Sequence, residues 1–103
     1  MKTTLAIAAA LAFAPLGSWA DPVDDAMAKA GCTACHAKDK KIIGPAFKDI
    51  AAKYKGQDVI AKLMDKVRKG GAGVYGPVPM APNPPDKISD GDLKAAIESI
   101  LKS

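Results

Sequence analysis

The chain has 103 residues, 49% hydrophobic and 25% charged, with a formal net charge of +4, two cysteines and one histidine. That length holds one domain, and the mild basic excess, with no aromatics interleaved along a basic stripe, excludes a nucleic-acid-binding reading. A core this small is thermodynamically marginal and calls for a staple such as a disulfide, a metal or a cofactor.

The first twenty residues read as an export signal. Lys2 precedes the apolar run Leu5 to Ala14, then come Pro15 and Gly17, then Ser18-Trp19-Ala20, with the small residues a signal peptidase accepts. A run of about ten apolar residues is too short to span a bilayer, which takes roughly twenty, so the expectation is cleavage after Ala20 rather than a membrane anchor. Residues 1–20 are thus a signal peptide and residues 21–103 the functional domain. Removal takes Lys2 and no acidic group, lowering the net charge by one.

Four helical patterns follow, and no alternating strand pattern of useful length. The first runs from Asp21 to about Ala30. Asp21 suits the cap, Pro22 the first helical position, Asp24 and Asp25 the positive end of the dipole, and Gly31 the stop. Its apolar face is Val23, Ala26, Met27 and Ala30. The second, about Ala46 to Lys55, places Phe47, Ile50, Ala51 and Tyr54 on one face before Gly56. The third, about Asp58 to Lys69, places Ile60, Leu63, Met64 and Val67 together before Gly70. The last, about Asp90 to Lys102, has the best start signal: a capping-box pattern of Ser89 with Asp92, and a hydrophobic staple of Ile88 with Leu93. Its face is Leu93, Ala96, Ile97, Ile100 and Leu101.

Between the third and fourth patterns lies "GGAGVYGPVPMAPNPPDK", Gly70 to Lys87. An irregular stretch this long is unusual in so small a domain and tends to be functional or disordered. Five prolines from Pro77 to Pro85 restrict its backbone and favour a fixed shape.

Both cysteines and the sole histidine fall within Cys32-Thr33-Ala34-Cys35-His36. This is C-x-x-C-H, the attachment signature of c-type haem. Two cysteines three apart sit on one turn and can form thioethers to the two vinyl groups of one macrocycle, while the adjacent histidine reaches the iron. Structural zinc needs about four Cys or His ligands and only three exist. A thioredoxin-like dithiol needs a βαβ setting that this pattern lacks. A plain disulfide, possible in a chain without haem, leaves His36 and the long rigid loop unexplained.

A six-coordinate haem needs a second axial ligand. Met27 and Met64 lie on apolar helix faces, where core packing accounts for them. Met80 sits between Pro79 and Ala81-Pro82, where no amphipathic face asks for it, which makes its sulfur the candidate. A neutral thioether favours the ferrous state and, paired with histidine, raises the reduction potential. Two filled axial positions leave no room for substrate, so the expected role is electron transfer, not catalysis.

Taken together, "GCTACH", "IIGPAFKDIAAKY", "GGAGVYGPVPMAPN" and the closing helix resemble the small bacterial class I cytochromes c of the c-551/c-552 type, over essentially all of Asp21 to Ser103. The resemblance implies an all-α class I cytochrome c fold, about four helices wrapped round one covalently attached haem c, the first and last helices crossing. It implies His36 and Met80 as axial ligands, the Pro45 carbonyl accepting the Nδ1 proton of His36, and Asn83 hydrogen-bonding near the methionine sulfur. Tyr75 stands where the family often has a tryptophan that donates to a haem propionate, and Lys66 where an arginine often approaches the propionates. Ser99 stands near the usual tryptophan of the last helix and Met27 where an aromatic is common.

The function expected is that of a soluble, monomeric periplasmic electron carrier, with a membrane cytochrome complex as donor and a terminal oxidase or nitrite reductase as acceptor. Lysines dense from Lys38 to Lys69, a solvated surface when taken one at a time, would as a group steer acidic redox partners. Ile42, Ile43, Val74, Val78 and Ala81 would line the haem or form the contact patch. The alternative is a haem sensor or small-ligand binder with a displaceable Met80.

Overall fold

The structure, a computed structural model, describes residues 21–103. The expected signal peptide and Trp19 lie outside the described residues.

Helix α1 spans Pro22–Ala30. The Asp21 carboxylate accepts a 3.0 Å hydrogen bond from the Val23 N–H, and Gly31 closes the helix. A single further turn, α2, follows at Cys32–Cys35, so the four expected helices are joined by a fifth, short one. Helix α3 spans Phe47–Lys53, α4 Ile60–Lys69 and α5 Asp90–Leu101.

Two helices are shorter than their sequence patterns. At the end of α3 the Tyr54 backbone leaves helical geometry and its carbonyl accepts from the Gln57 N–H, a turn that ends the helix before Lys55. At the start of α4 no side chain caps the helix, and Val59 rather than Asp58 occupies the capping position. Helix α5 begins as its sequence directs, with the Ser89 hydroxyl accepting from the Asp92 N–H at 3.2 Å. Ile88 and Leu93, the two arms of the staple, are both buried.

Among the described residues there is no strand, only isolated bridges between His36 and Lys41 and between Gly71 and Met80. Helix α5 is the centre of the packing and touches α1, α3 and α4. Met27 and Ala30 of α1, Phe47 of α3, Ile88, and Leu93, Ala96 and Ile97 of α5 form the buried cluster. Burying an aliphatic side chain such as Leu93 or Ile97 contributes about 1.5–3 kcal/mol. The apolar face of α4 behaves differently: Ile60, Leu63, Met64 and Val67 are only partly buried, because that helix lies along the wall of a cavity. The core is therefore built around a space.

Candidate functional site

The local sequence explains how the site is assembled. Gly31 ends α1 and starts α2, and one helical turn puts Cys32 and Cys35 on the same face. His36 then leaves the helix in an extended conformation while its N–H still bonds the Cys32 carbonyl at 3.0 Å. No disulfide joins the two cysteines, and burial pushes the Cys32 thiol above its ordinary value, with a backbone hydrogen bond opposing it and Cys35 adding a smaller push.

The histidine ring is held from several directions. Its Nδ1 lies 2.7 Å from the Pro45 carbonyl oxygen. A carbonyl can only accept, so Nδ1 carries the proton and Nε2 presents a lone pair. Phe47 stacks on the ring with centroids 5.5 Å apart. Gly44 packs so closely that a Cβ there would lie 2.5 Å from His36 Cε1. The strap carrying Gly44 is itself fixed, since the Ile43 and Gly44 N–H groups both donate to the Cys35 carbonyl.

Cys32, Cys35, His36 and Met80 all line one cavity of about 290 Å³. Met80 is half-buried and is held to the end of α4 by two backbone bonds with Gly71, each 2.9 Å. Of the other methionines in this domain, Met27 also lines the cavity, 3% exposed within the core, whereas Met64 packs on the core without lining the cavity. Ile43, Val74, Tyr75 and Val78 line it too and are exposed, so among the described residues all the exposed large hydrophobics except Ile42 belong to the walls of this cleft. Two thiols on one turn, an imidazole with a free nitrogen and a thioether, set in an apolar cleft, match the chemistry of a c-type haem: two sulfurs for two vinyl groups, one N and one S for the iron.

The family model described as Cytochrome c matches residues 24–102. The chain belongs to the cytochrome c family. A cytochrome c2 of Rubrivivax gelatinosus is 51% identical over 76 residues, 73% of this chain and 89% of that one. A cytochrome c-551 of Pseudomonas aeruginosa is 41% identical over 86 residues, 82% and 80% of the two chains. The crystal structure of wild-type Nitrosomonas europaea cytochrome c552 superposes with a TM-score of 0.68 at 44% identity, covering 76% of this chain and 95% of that one. The fold is accordingly that of the small class I cytochromes c of the c-551/c-552 type. The protein is a haem-based electron carrier, not an enzyme, in a family whose haem is attached covalently.

The remaining candidate residues are placed as follows. Tyr75 lines the cavity, and burial, with smaller contributions from Tyr54 and Asp49, pushes its phenol above the ordinary value. The Lys53 ammonium lies 5.9 Å from the ring centres of both Tyr54 and Tyr75. Lys66 lines the cavity as well and borders a second, adjoining hollow lined by Tyr54, Lys62 and Lys69. Asn83 is buried, but its amide hydrogens go to the carbonyls of Ala81 at 3.0 Å and Val67 at 3.3 Å. These two bonds fix the loop on either side of Asn83, one within the loop and one to α4.

Arg68 was not among the expected site residues. It donates to the carbonyls of Asn83 and Ile88 and pairs with Asp90. The sequence carried one signal for it, a single arginine among fifteen basic residues.

Proposed function

We propose that residues 21–103, exported after loss of residues 1–20, carry one haem c bound through Cys32 and Cys35, with His36 and Met80 as axial ligands. In this reading the protein shuttles single electrons in the periplasm. The observation that carries it is the His36 ring, its Nδ1–H held by Pro45 and its Nε2 free, in the same cavity as both cysteines and Met80.

The haem supplies a one-electron ferric/ferrous couple, and the chain supplies everything that tunes it. Cys32 and Cys35 anchor the macrocycle from one turn. Pro45, by accepting the Nδ1 proton, keeps the His36 ring from rotating and raises the basicity of Nε2. Met80 donates a soft, neutral sulfur that favours the reduced state, and the apolar walls oppose the extra positive charge of the oxidised state. Met27, on an α1 face that the core already uses, serves as packing. Tyr75 and Lys66, both at the cavity, offer a hydroxyl and an ammonium to the propionates. Among the described residues no helix is long and apolar enough to cross a membrane.

The lysines from Lys38 to Lys69, together with exposed Ile42, Ile43, Val74 and Val78, suit brief docking of acidic redox proteins. The expected partners are a membrane cytochrome complex as donor and a terminal oxidase or nitrite reductase as acceptor, met by a monomer. The electron-transfer rate with such a partner should fall as salt rises; a salt-independent rate removes the steering.

The test of the ligand set is the visible spectrum of protein exported in a host that attaches haem c. A low-spin spectrum, with the weak long-wavelength sulfur-to-iron band when oxidised, supports His36/Met80 ligation. A high-spin spectrum with rapid carbon monoxide binding in the reduced form overturns it in favour of ligand sensing.

A further inference from the structure

The segment that carries Met80 joins α4 to α5, and the structure ties its second half back at three heights, once to its own start and twice to α4. At the foot are the paired Gly71 and Met80 bonds. In the middle the Asn83 N–H donates to the Val67 carbonyl at 3.0 Å, with the Asn83 side chain reaching the same carbonyl. At the far end stands Arg68. Its Nη1 donates to the Asn83 carbonyl at 3.0 Å and the Ile88 carbonyl at 2.8 Å, while Nη2 meets the Asp90 carboxylate.

One guanidinium therefore bridges the segment at residue 83, the residue before the α5 cap and the first residue of α5. The bonds internal to this stretch are a turn, with the Lys87 and Ile88 N–H groups on the Pro84 carbonyl at 2.9 and 3.4 Å, and they do not reach α4. A planar fork with several fixed donors can satisfy acceptors spread this way, whereas the single nitrogen of a lysine cannot span them. Every other one of the chain's fifteen Lys and Arg positions is lysine. The Arg68 side chain is only 18% exposed, against 80% for Asp90, so the two carbonyl bonds carry more of the effect than the ion pair.

We infer that Arg68 is the positioning residue of the Met80 ligand: it closes the far end of the 80–90 segment onto α4 and so limits how often the sulfur leaves the iron. This rests on Met80 being the axial ligand. Arg68 does not itself line the cavity and none of its hydrogen bonds goes to Met80, so it acts on the open population through the segment it holds.

Imidazole added to the ferric, haem-loaded protein reads that population. The iron–sulfur bond breaks, an iron–nitrogen bond forms, and the iron stays ferric. Apparent affinity scales with the fraction of molecules open. Arg68→Met should bind imidazole about tenfold more tightly, Arg68→Lys should recover part of that change, and Asp90→Asn should give about two- to threefold. Asp92→Asn removes a charge from the same first turn of α5 without touching Arg68, and should stay near wild type. Ala30→Gly, which weakens α1 away from the segment, gives the response of a merely less stable fold.

Imidazole affinity unchanged within about twofold in Arg68→Met overturns the inference. So does a rise no larger than that of Ala30→Gly at equal loss of unfolding midpoint. If Arg68→Met does not fold, Arg68→Lys decides by the same criterion. Absence of the sulfur-to-iron band from the wild-type protein overturns the ligand assignment itself, and the inference with it.

Discussion

Gly70→Ala should be the most damaging single-methyl addition in the molecule. Gly70 stops α4 at φ 69 and ψ −154, a region that only glycine enters readily, and forcing another residue there costs on the order of 1–3 kcal/mol. The added Cβ would also collide with the Met80 carbonyl oxygen and fall 2.9 Å from the backbone of Ala81 and Pro82. No flexible side-chain end is available to yield, so backbone must move. The movement is directed at the two Gly71–Met80 bonds, each contributing about 0.5–1.5 kcal/mol. A loss of about 2–6 kcal/mol follows, a large share of the roughly 5–15 kcal/mol that stabilises a small domain.

Gly56→Ala provides the comparison. Its φ of 75 is equally positive, but nothing lies within 4 Å of the added Cβ, so only the backbone strain of about 1–2 kcal/mol applies. Guanidinium unfolding of the two haem-loaded variants, followed by far-UV circular dichroism and by the sulfur-to-iron band, separates the two contributions. Gly70→Ala should also weaken the band in the folded protein, and Gly56→Ala should not. Equal losses in the two variants with the band intact would refute the idea that close packing of α4 on the Met80 backbone holds the loop.

Gly44→Ala should displace the His36 ring, since the Cβ would meet Cε1 at 2.5 Å, costing about 1–3 kcal/mol as overpacking; faster exchange of the His36 Nδ1 proton in NMR spectra would report the weakened Pro45 bond. Ser89→Ala removes the hydroxyl that accepts from the Asp92 N–H and should cost about 0.5–2 kcal/mol in chemical unfolding, with the visible spectrum unchanged. Tyr75, whose phenol is pushed up by burial, keeps its proton in the folded state beyond the pH at which the unfolded chain loses it. Its contribution to stability is therefore constant below the ordinary tyrosine range and declines as pH rises through the elevated value. The difference in phenolate absorbance between wild type and Tyr75→Phe should show a midpoint above that of a free tyrosine.

Much of this protein is legible in its amino-acid order. The two cysteines and His36 stand out because C-x-x-C-H, the attachment signature of c-type haem, has a fixed spacing that a single turn satisfies. Capping chemistry is equally local: Asp21, Pro22 and Gly31 bound α1 in the structure, and Ser89 caps α5, because each decision involves neighbours within a few residues. Met80 stands out by elimination, as the methionine that no amphipathic face requires.

What local rules could not supply was the behaviour of groups whose partners are distant in sequence. Asn83 turned its amide to Ala81 and Val67 because the end of α4 arrives beside it. Arg68 gained its place only when residues 83, 88 and 90 were brought round to α4. The closeness of Gly70 to Met80, and of Gly44 to His36, likewise exists only once the chain has folded back. Sequence alone marked the C-x-x-C-H turn and the helix ends at Asp21, Gly31 and Ser89, since spacing, capping and turn residues act over a few bonds. Tertiary structure decided how firmly His36 and the Met80 loop are held, because that depends on which backbone carbonyls happen to lie within reach of a buried donor.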